Sequence, residues 1–258
     1  MDTRVKVIIP VYRPNFSPLE SQSFNRAYEI LNNYQIVAIK PQSLNLDALK
    51  TAFPRITIES FPDHFFDGYD GYNRLMLSPD LYQRFIDTPY ILIYQLDAYI
   101  FSDQLDYFVS KGYDYVGAPW LVRKLYRTQL FSLILKIRQE KSNRKGQPCR
   151  QNLYNKIGNG GLSLRKTQSS YEATIKYRER IEFYLSHSNT PLYNEDVFWA
   201  IEVPEFHYPA VNDALKFSFD KYPDLCYEEN QDNLPMGCHG WYKWKWRGFW
   251  AKHIKFEG

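Results

Sequence analysis

Four short segments of this 258-residue chain carry the residue types that metal and acid–base chemistry require. The first is Gln95-Leu96-Asp97, which directly follows YILIY, the clearest strand-like run in the chain. Open parallel sheets bind ligands at the carboxyl ends of their strands, where a carboxylate can hold a divalent cation between two phosphates. An isolated Asp at a strand end can equally cap the next helix, so Asp97 alone does not decide the chemistry.

The second segment is Asn194-Glu195-Asp196, which precedes the apolar residues VFW. Two carboxylates there can serve as a helix cap and a first-turn acid, which the helix dipole favours. Alternatively, one of them is a general base, because a hydroxyl is a poor nucleophile until a carboxylate takes its proton. Adjacent residues point in different directions, so only one of the two would face a substrate.

The other two segments are rich in glycine. Gly158–Arg165 (GNGGLSLR) can expose backbone N–H groups to a flat ligand, although it has neither the phosphate-loop nor the dinucleotide spacing. A tight hairpin is the alternative. Gly237–Trp241 (GCHGW) places His239, a common type of metal ligand, between small residues. Its spacing is unlike that of a zinc finger, and an exposed turn is the alternative.

The elements that must position these segments begin with an alternation of strands and helices. We expect strands at Val5–Val11, Tyr34–Ile39 and Ile56–Phe61, and helices at Ser21–Asn32 and Leu46–Phe53. This order predicts an α/β fold with a parallel, three-layer arrangement. Further along we expect strands at Tyr90–Gln95, Tyr113–Val116 and Ala214–Phe219, helices at Leu75–Ile86, Leu105–Lys111, Ser170–Leu185 and Glu195–Ile201, and a loop at Ser142–Arg150.

Composition excludes several classes of protein. An apolar content of 44% predicts a globular chain, and three Cys are too few for a disulfide scaffold. A net charge of +3 is too small to argue by itself for nucleic acid as a partner, and we expect none. Because the N-terminus has no apolar signal region and no run reaches the length of a membrane span, we expect a cytoplasmic location.

Taken together, the four segments resemble the nucleotide-sugar glycosyltransferases with the GT-A fold. VKVIIPVY is similar to their opening strand, and Gln95-Leu96-Asp97 lies where their metal-binding Asp-x-Asp motif is expected. Asn194-Glu195-Asp196 resembles their later acidic pair, and His239 their C-terminal His. A more specific resemblance is to a bacterial glycosyltransferase-like family of unknown function, similar to enzymes of surface-polysaccharide assembly. It is carried by YQLDAYIF, YDYVGAPW, GNGGLSLR, NEDVFW and PMGCHGW.

The resemblance implies one GT-A-like domain over residues 1–258, with a mostly parallel central sheet. Residues 1–120 would bind the nucleotide sugar, a UDP-sugar in the first instance, and residues 121–258 a glycan or lipid-linked acceptor. It implies Mn²⁺ or Mg²⁺ at Asp97 and His239, and inverting hexosyl transfer with Asp196 or Glu195 as the base. The residues that would contact the donor are Pro10, Val11, Tyr12, Asn73, Arg74, Gln95, Asp97, Gly160 and Gly161.

One departure leaves other functions open. Gln95 stands where the first Asp of Asp-x-Asp is expected, so metal affinity should be lower than in the family. A non-catalytic protein that binds nucleotides or glycans is therefore one alternative. A hydrolase or nucleotidyltransferase that uses the same carboxylates on phosphate is another.

Two segments mix cations with apolar or aromatic residues. Residues 121–141 predict a basic amphipathic helix, and residues 241–255 hold four of the six Trp among Lys and Arg. Both patterns suit peripheral contact with an anionic membrane at its cytoplasmic face. The alternatives are a solvated basic helix and a tail whose Trp rings pack on the core.

Overall fold

The computed structural model describes residues 1–144 and 149–257, apart from the side chain of Leu130. The strands are β1 (Asp2–Pro10), β2 (Tyr34–Pro41), β3 (Thr57–Phe61), β4 (Tyr90–Tyr94), β5 (Ala98–Ile100), β6 (Tyr115–Val116), β7 (Leu162–Lys166), β8 (Ser218–Phe219) and β9 (Gly237–His239). The helices are α1 (Pro18–Ile30), α2 (Asp47–Ala52), α3 (Gly68–Met76), α4 (Pro79–Arg84), α5 (Leu105–Ser110), α6 (Gln129–Arg144), α7 (Thr167–Lys176), α8 (Arg178–Ser186), α9 (Glu195–Ile201), α10 (Val211–Phe217), α11 (Pro223–Glu229) and α12 (Trp244–Trp250).

The central sheet has six strands in the order β3-β2-β1-β4-β7-β6. The first four strands in this order are mutually parallel, whereas β7 runs antiparallel to both β4 and β6. This mixed, mostly parallel sheet confirms the predicted α/β class. The parallel strands β1, β2 and β4 are nearly continuous apolar runs because both faces of the sheet are covered there, whereas the edge strand β3 is more polar and only partly buried.

Alternate residues of β1 supply the two cores on either side of the sheet. Ile8 belongs to one apolar cluster, while Val7 and Ile9 belong to the other, as the two-residue period of a strand requires. Both faces are therefore sealed, and the strand ends are where a ligand can approach.

A second, three-stranded sheet has the order β5-β9-β8. It joins the segment after β4 to two segments near the C-terminus, and Ala98 pairs with His239 across it. A third apolar cluster, which includes Trp241 and Trp250, packs next to this sheet. Residues distant in the chain are thereby brought together beyond β4.

Two predicted helices are interrupted. The helix predicted at Leu75–Ile86 is divided into α3 and α4, because Pro79 has no N–H and starts a new helix capped by the Ser78 side chain. The helix predicted at Ser170–Leu185 is divided into α7 and α8 at Tyr177, whose backbone N–H bonds to the Ala173 carbonyl at the end of α7 and whose side chain does not cap α8.

Two further predictions also need correction. Most of the strand predicted at Ala214–Phe219 is helix α10, because buried Ala214, Leu215 and Phe217 follow a helical spacing that a short apolar run cannot distinguish from a strand. The basic segment becomes α-helical only at Gln129, after a 3₁₀ turn at Lys124–Arg127. Of the loop predicted at Ser142–Arg150, residues 145–148 lie outside the described residues.

Candidate functional site

The site begins at the turn that follows β4. The Gln95 N–H donates to the Gly161 carbonyl at 2.8 Å, and the Ala98 N–H donates to the Gln95 carbonyl at 2.8 Å. Asp97 therefore lies in a tight connection between the end of β4 and the start of β5. This connection is at the carboxyl edge of the parallel strands, where the sequence predicts a ligand site.

His239 meets Asp97 at this edge. Its Nε2 lies 2.9 Å from Asp97 Oδ1 and 3.2 Å from Gln95 Oε1. The pairing of β5 with β9 explains the contact, because it aligns His239 with Ala98, the residue next to Asp97. The structure thus brings together three side chains that the sequence assigned to metal or donor binding.

A second carboxylate and a lysine complete this cluster. Asp220 Oδ1 lies 3.2 Å from His239 Nδ1, and Lys243 Nζ lies 3.2 Å from Asp97 Oδ2. Sequence reasoning missed both residues. Asp220 carries the signal that identified Asp97, since it directly follows both the strand predicted at Ala214–Phe219 and the shorter β8, so the same signal could have found it.

The charges of this cluster reinforce one another. Burial would lower the pKa of His239, but the Asp97 charge and the hydrogen bond to Asp220 raise it to about 9. Burial would likewise raise the pKa of Asp97, yet the pairing with His239 and Lys243 holds it well below its usual range. Asp97 is therefore ionised and His239 protonated at neutral pH.

Two consecutive glycines separate this cluster from a second one. A Cβ at Gly161 would lie 2.3 Å from His239 Nε2, and a Cβ at Gly160 would lie 1.4 Å from Glu195 Oε1. Both distances are far below any van der Waals contact. The Gly-rich segment is needed here because side chains from two sides press against its backbone.

The second cluster is a buried ion pair. Arg165 Nη2 lies 3.0 Å from Glu195 Oε2, and neither side chain is more than 3% exposed. Arg165 also donates to the Tyr82 hydroxyl at 2.8 Å and to Ser163 Oγ at 3.0 Å. The Glu195 N–H donates to Asn73 Oδ1 at 2.9 Å, so a side chain of α3 fixes the start of α9. Arg165 is a member that sequence reasoning missed.

Asp196 differs from its neighbour. It is only partly buried, and its Oδ1 accepts a hydrogen bond from the Val197 N–H at 2.9 Å. Burial and the charge of Glu195 raise the pKa of Asp196 to about 7. The charge of Lys221 lowers the pKa of Asp196, and the charge of Asp220 raises it. Since Asp220 also contacts His239, Asp196 is electrostatically coupled to the His239 cluster. A carboxylate with this pKa can exchange a proton near neutral pH.

The end of β1 adjoins both clusters through Tyr12. Pro10 and Val11 are buried, whereas Tyr12 is 42% exposed and lies edge-on to Phe66. The pKa of the Tyr12 hydroxyl is raised, first by burial and then by the charges of Asp97 and Glu195. Of the three residues predicted to flank the nucleotide base, Tyr12 is the one with an accessible side chain.

Asn73 and Arg74 lie on different faces of α3. Asn73 is buried beneath Glu195, whereas Arg74 lines a separate cavity of about 880 Å³ next to α7 and α8. The reason is that adjacent residues of a helix point about 100° apart. The structure therefore does not bring Arg74 to the site with the other predicted donor contacts.

The donor atoms around His239 suit a divalent cation in type and spacing. Two oxygens lie 2.9 Å and 3.2 Å from Nε2, close to the ~3 Å that separates adjacent ligands of an octahedral Mg²⁺. Across residues 1–144 and 149–257, no group of three His, Cys, Asp or Glu side chains could hold a metal ion. The possible ligands are therefore His239 Nε2, Asp97 Oδ1 and the side-chain amide oxygen of Gln95.

Comparisons with known proteins agree with this architecture. Residues 55–239 match the family described as "Protein of unknown function (DUF5672)", and no curated protein matches the chain. Mouse xyloside xylosyltransferase 1 is 13% identical, with a TM-score of 0.53 over 91% of this chain and 96% of that one. The galactosyltransferase LgtC, solved with donor and acceptor sugar analogues, is 10% identical, with a TM-score of 0.56 over 91% and 86%.

The glycosyltransferase GlyE of Streptococcus pneumoniae is 11% identical, with a TM-score of 0.52 over 98% of this chain and 61% of that one. At such identities the likeness concerns the fold alone, and it confirms the GT-A-like fold expected from the sequence. The match to the family model covers well over half of the chain. The chain therefore belongs to the DUF5672 family and has the fold of the GT-A glycosyltransferases.

Proposed function

We propose that this chain is a glycosyltransferase. It transfers a hexose from a nucleotide diphosphate sugar, with a UDP-sugar as the expected donor, to a glycan or lipid-linked acceptor of surface-polysaccharide or lipopolysaccharide assembly. The observation that carries the proposal is the 2.9 Å contact between Asp97 and His239 at the carboxyl edge of a GT-A-like sheet. Ligands of open α/β sheets bind at this edge.

Asp97, His239 and Gln95 would hold Mn²⁺ or Mg²⁺. The bound ion would neutralise the diphosphate and so stabilise it as a leaving group. Since His239 is protonated in the ion pair with Asp97, metal binding requires that its Nε2 proton leave. Lys243, already beside Asp97, is a second positive charge that the diphosphate can approach.

Asp196 is the better candidate for the general base. Its pKa of about 7 and its partial exposure allow it to take a proton from an acceptor hydroxyl at neutral pH. Glu195 is paired with Arg165 and shielded from solvent, so we assign it a positioning role for Gly160 and for the start of α9. A single in-line displacement with Asp196 as the base would invert the anomeric configuration.

Tyr12, Gly160 and Gly161 are the remaining predicted contacts that support a donor site at the same edge. Tyr12 supplies an exposed ring at the end of β1, which suits stacking on a base. Gly160 and Gly161 bring the backbone close to both carboxylate clusters and leave no room for a side chain. Together they favour a flat, anionic donor between β1 and the β4–β5 turn.

A thermal-shift screen of nucleotide sugars, with and without Mn²⁺, tests this proposal. We expect one nucleotide to raise the melting temperature only when the metal is present, because a ligand that binds the native state stabilises it. The NMR coupling of the anomeric proton in the product then reports inversion or retention. No shift with any nucleotide sugar would contradict the proposal.

A non-catalytic binding protein is the second candidate, and Gln95 favours it. An amide supplies no charge to a metal, so the ion would have fewer anionic ligands than an Asp-x-Asp motif provides. A nucleotide-specific shift without release of free nucleotide, in the presence of Mn²⁺ and a range of glycan acceptors, would support this function instead.

A further inference from the structure

The surface around α6 has an unusual concentration of exposed apolar side chains. Of the twelve large apolar side chains exposed among the described residues, five lie between positions 125 and 137. They are Leu125, Phe131, Leu133, Ile134 and Ile137, of which Leu133 and Ile137 are 57% and 58% exposed. A scattered surface residue needs no explanation, but a cluster of this kind does.

The exposed residues form a stripe along α6. Leu133, Ile134 and Ile137 fall within about 100° around the helix axis. Ser132, Leu135 and Gln139, on the opposite side, are partly buried, and Gln139 donates to Asn152 at 2.8 Å. The helix therefore lies on the protein by its other face, and the apolar stripe points outward.

Cations surround this stripe. Lys136 and Arg138 lie on its two edges, while Lys141 and Arg144 continue it towards the C-terminal end of α6. All four are exposed, and none forms an ion pair with a described residue. Long basic side chains in such positions can reach phosphate groups while their stems lie along apolar surface.

The charge of the whole chain is concentrated here. Residues 121–144 contain seven Lys and Arg and one Glu, whereas the rest of the chain has 25 basic and 28 acidic residues. Lys124 and Arg127 are paired with Glu228 and Glu229, and Arg123 lies over the rings of Tyr126 and Tyr222, which leaves the four cations of α6 without a described partner. The remainder of the molecule is therefore slightly acidic, and α6 is a local source of positive charge.

The geometry points to α6 as a docking surface for an anionic lipid bilayer, lying parallel to the membrane with Leu133, Ile134 and Ile137 in the headgroup region. An outward apolar stripe flanked by cations is what an interfacial helix requires. A second copy of the chain is a poorer occupant, because a two-fold interface through α6 would place its cations against one another. Within the described residues, no helix is long and apolar enough to cross a membrane, and this surface does not need one.

The C-terminal tail adds little to this surface. Trp241 and Trp250 are fully buried and Trp246 is partly buried, which leaves Trp244 as the exposed Trp of the segment 241–255. The tail is therefore largely a packing element, as one of the two interpretations of its sequence predicts. The docking proposal depends on α6 alone, and it does not depend on the proposed transferase activity.

Vesicle flotation of the intact protein tests the proposal. At low salt we expect the protein to float with phosphatidylglycerol-rich vesicles and to remain unbound with pure phosphatidylcholine vesicles. The double variant Leu133→Asn/Ile137→Asn should weaken binding at least about tenfold, since two apolar side chains lose their partition into lipid. Ile175→Asn is the matched control, because Ile175 is equally exposed, at 54%, on a different helix.

A charge variant gives an independent readout with little risk to folding. Lys141→Gln should weaken binding about fivefold, because each cation near an anionic surface contributes about 1 kcal/mol, and Lys111→Gln should leave binding unchanged. Turnover of a soluble nucleotide sugar should be the same in all these variants. The proposal is overturned if the unaltered protein fails to float with anionic vesicles, or if Ile175→Asn weakens binding as much as the double variant does. It is also overturned if the double variant abolishes self-association of the protein and leaves vesicle binding unchanged.

Discussion

Two carboxylate–cation clusters lie on either side of Gly160 and Gly161, and they differ in their access to solvent. In the first, Asp97 contacts His239 and Lys243, and the Asp97 side chain remains 21% exposed. In the second, Glu195 contacts Arg165, and both are almost fully buried. A ligand can displace partners in the first cluster, whereas the second has no such access.

The difference in solvent access indicates that the Asp97 cluster binds ligands and that the Glu195–Arg165 pair stabilises the fold. In the first cluster a metal ion can take the place of a cation beside Asp97, and a diphosphate can approach Lys243, whose side chain is 49% exposed. A buried pair, once formed, cannot lose one partner without leaving an uncompensated charge in the interior. We therefore expect changes in the first cluster to affect activity, and changes in the second to affect folding.

The largest effect should follow from Asp97→Asn. Loss of this charge removes the principal metal ligand, so turnover of the nucleotide sugar should fall about 10³-fold, measured as release of nucleotide diphosphate. The melting temperature should change little, because the side chain is partly exposed. Asp106→Asn, a change at an exposed Asp paired with Arg4, is the control and should retain full turnover.

Arg165→Met should reduce the free energy of unfolding by about 3–5 kcal/mol, measured by urea denaturation, because Glu195 is left buried without a partner. Arg180→Met breaks a more exposed pair with Glu202 and should cost about 1 kcal/mol or less. Burial already raises the pKa of Glu195, and removal of Arg165 raises it further. The loss of unfolding free energy in Arg165→Met should therefore become smaller as the pH falls and the Glu195 carboxyl becomes neutral. Equal losses of unfolding free energy in Arg165→Met and Arg180→Met would contradict the comparison.

Asp196→Asn should lower turnover about 10²-fold without a large change in stability. The raised pKa of Asp196 predicts a rate that increases with pH through about 7, because the base must be ionised. A pH profile of kcat/KM measures this rise, and the rise should disappear in the variant. Glu195→Gln is the informative comparison, since a similar loss of the pH dependence there would transfer the role of base to Glu195.

The smallest effect is expected from Gly161→Ala. The added Cβ would lie 2.3 Å from His239 and 2.8 Å from Gln95 Oε1, so the imidazole must shift and metal-dependent turnover should fall about tenfold. Gly248→Ala is the control, because a Cβ there meets nothing within 4 Å. Equal activity of the two variants would argue against a role for the close approach of Gly161.

Much of the fold was accessible from the sequence because the parallel strands are long apolar runs. β1, β2 and β4 are buried on both faces, so their composition identifies them without knowledge of their neighbours. The short strands of the second sheet were harder to recognise. β8 has two residues and is defined by its pairing with β9. Pairing between distant segments cannot be recognised from the hydrophobic pattern of either segment alone.

The site was predictable where chemistry-bearing residues follow a strand or lie among glycines, as Asp97 and His239 do. Arg165 was missed because a charged residue in a strand gives no sign of its partner, and Glu195 lies 30 positions away. The family resemblance placed Arg74 with Asn73 among the donor contacts just before the predicted helix at Leu75, but both lie on α3, whose period turns Arg74 towards a different cavity. Residue type alone does not specify the orientation of a side chain on its element.

The central claim is that Asp97 and His239 form a metal-dependent site for a nucleotide diphosphate, and electron paramagnetic resonance of free Mn²⁺ tests it most directly. With UDP present, the unaltered protein should remove the free Mn²⁺ signal in proportion to its concentration, and Asp97→Asn should leave the signal almost unchanged. If the unaltered protein leaves the signal unchanged, or if Asp97→Asn removes it equally well, the account is contradicted.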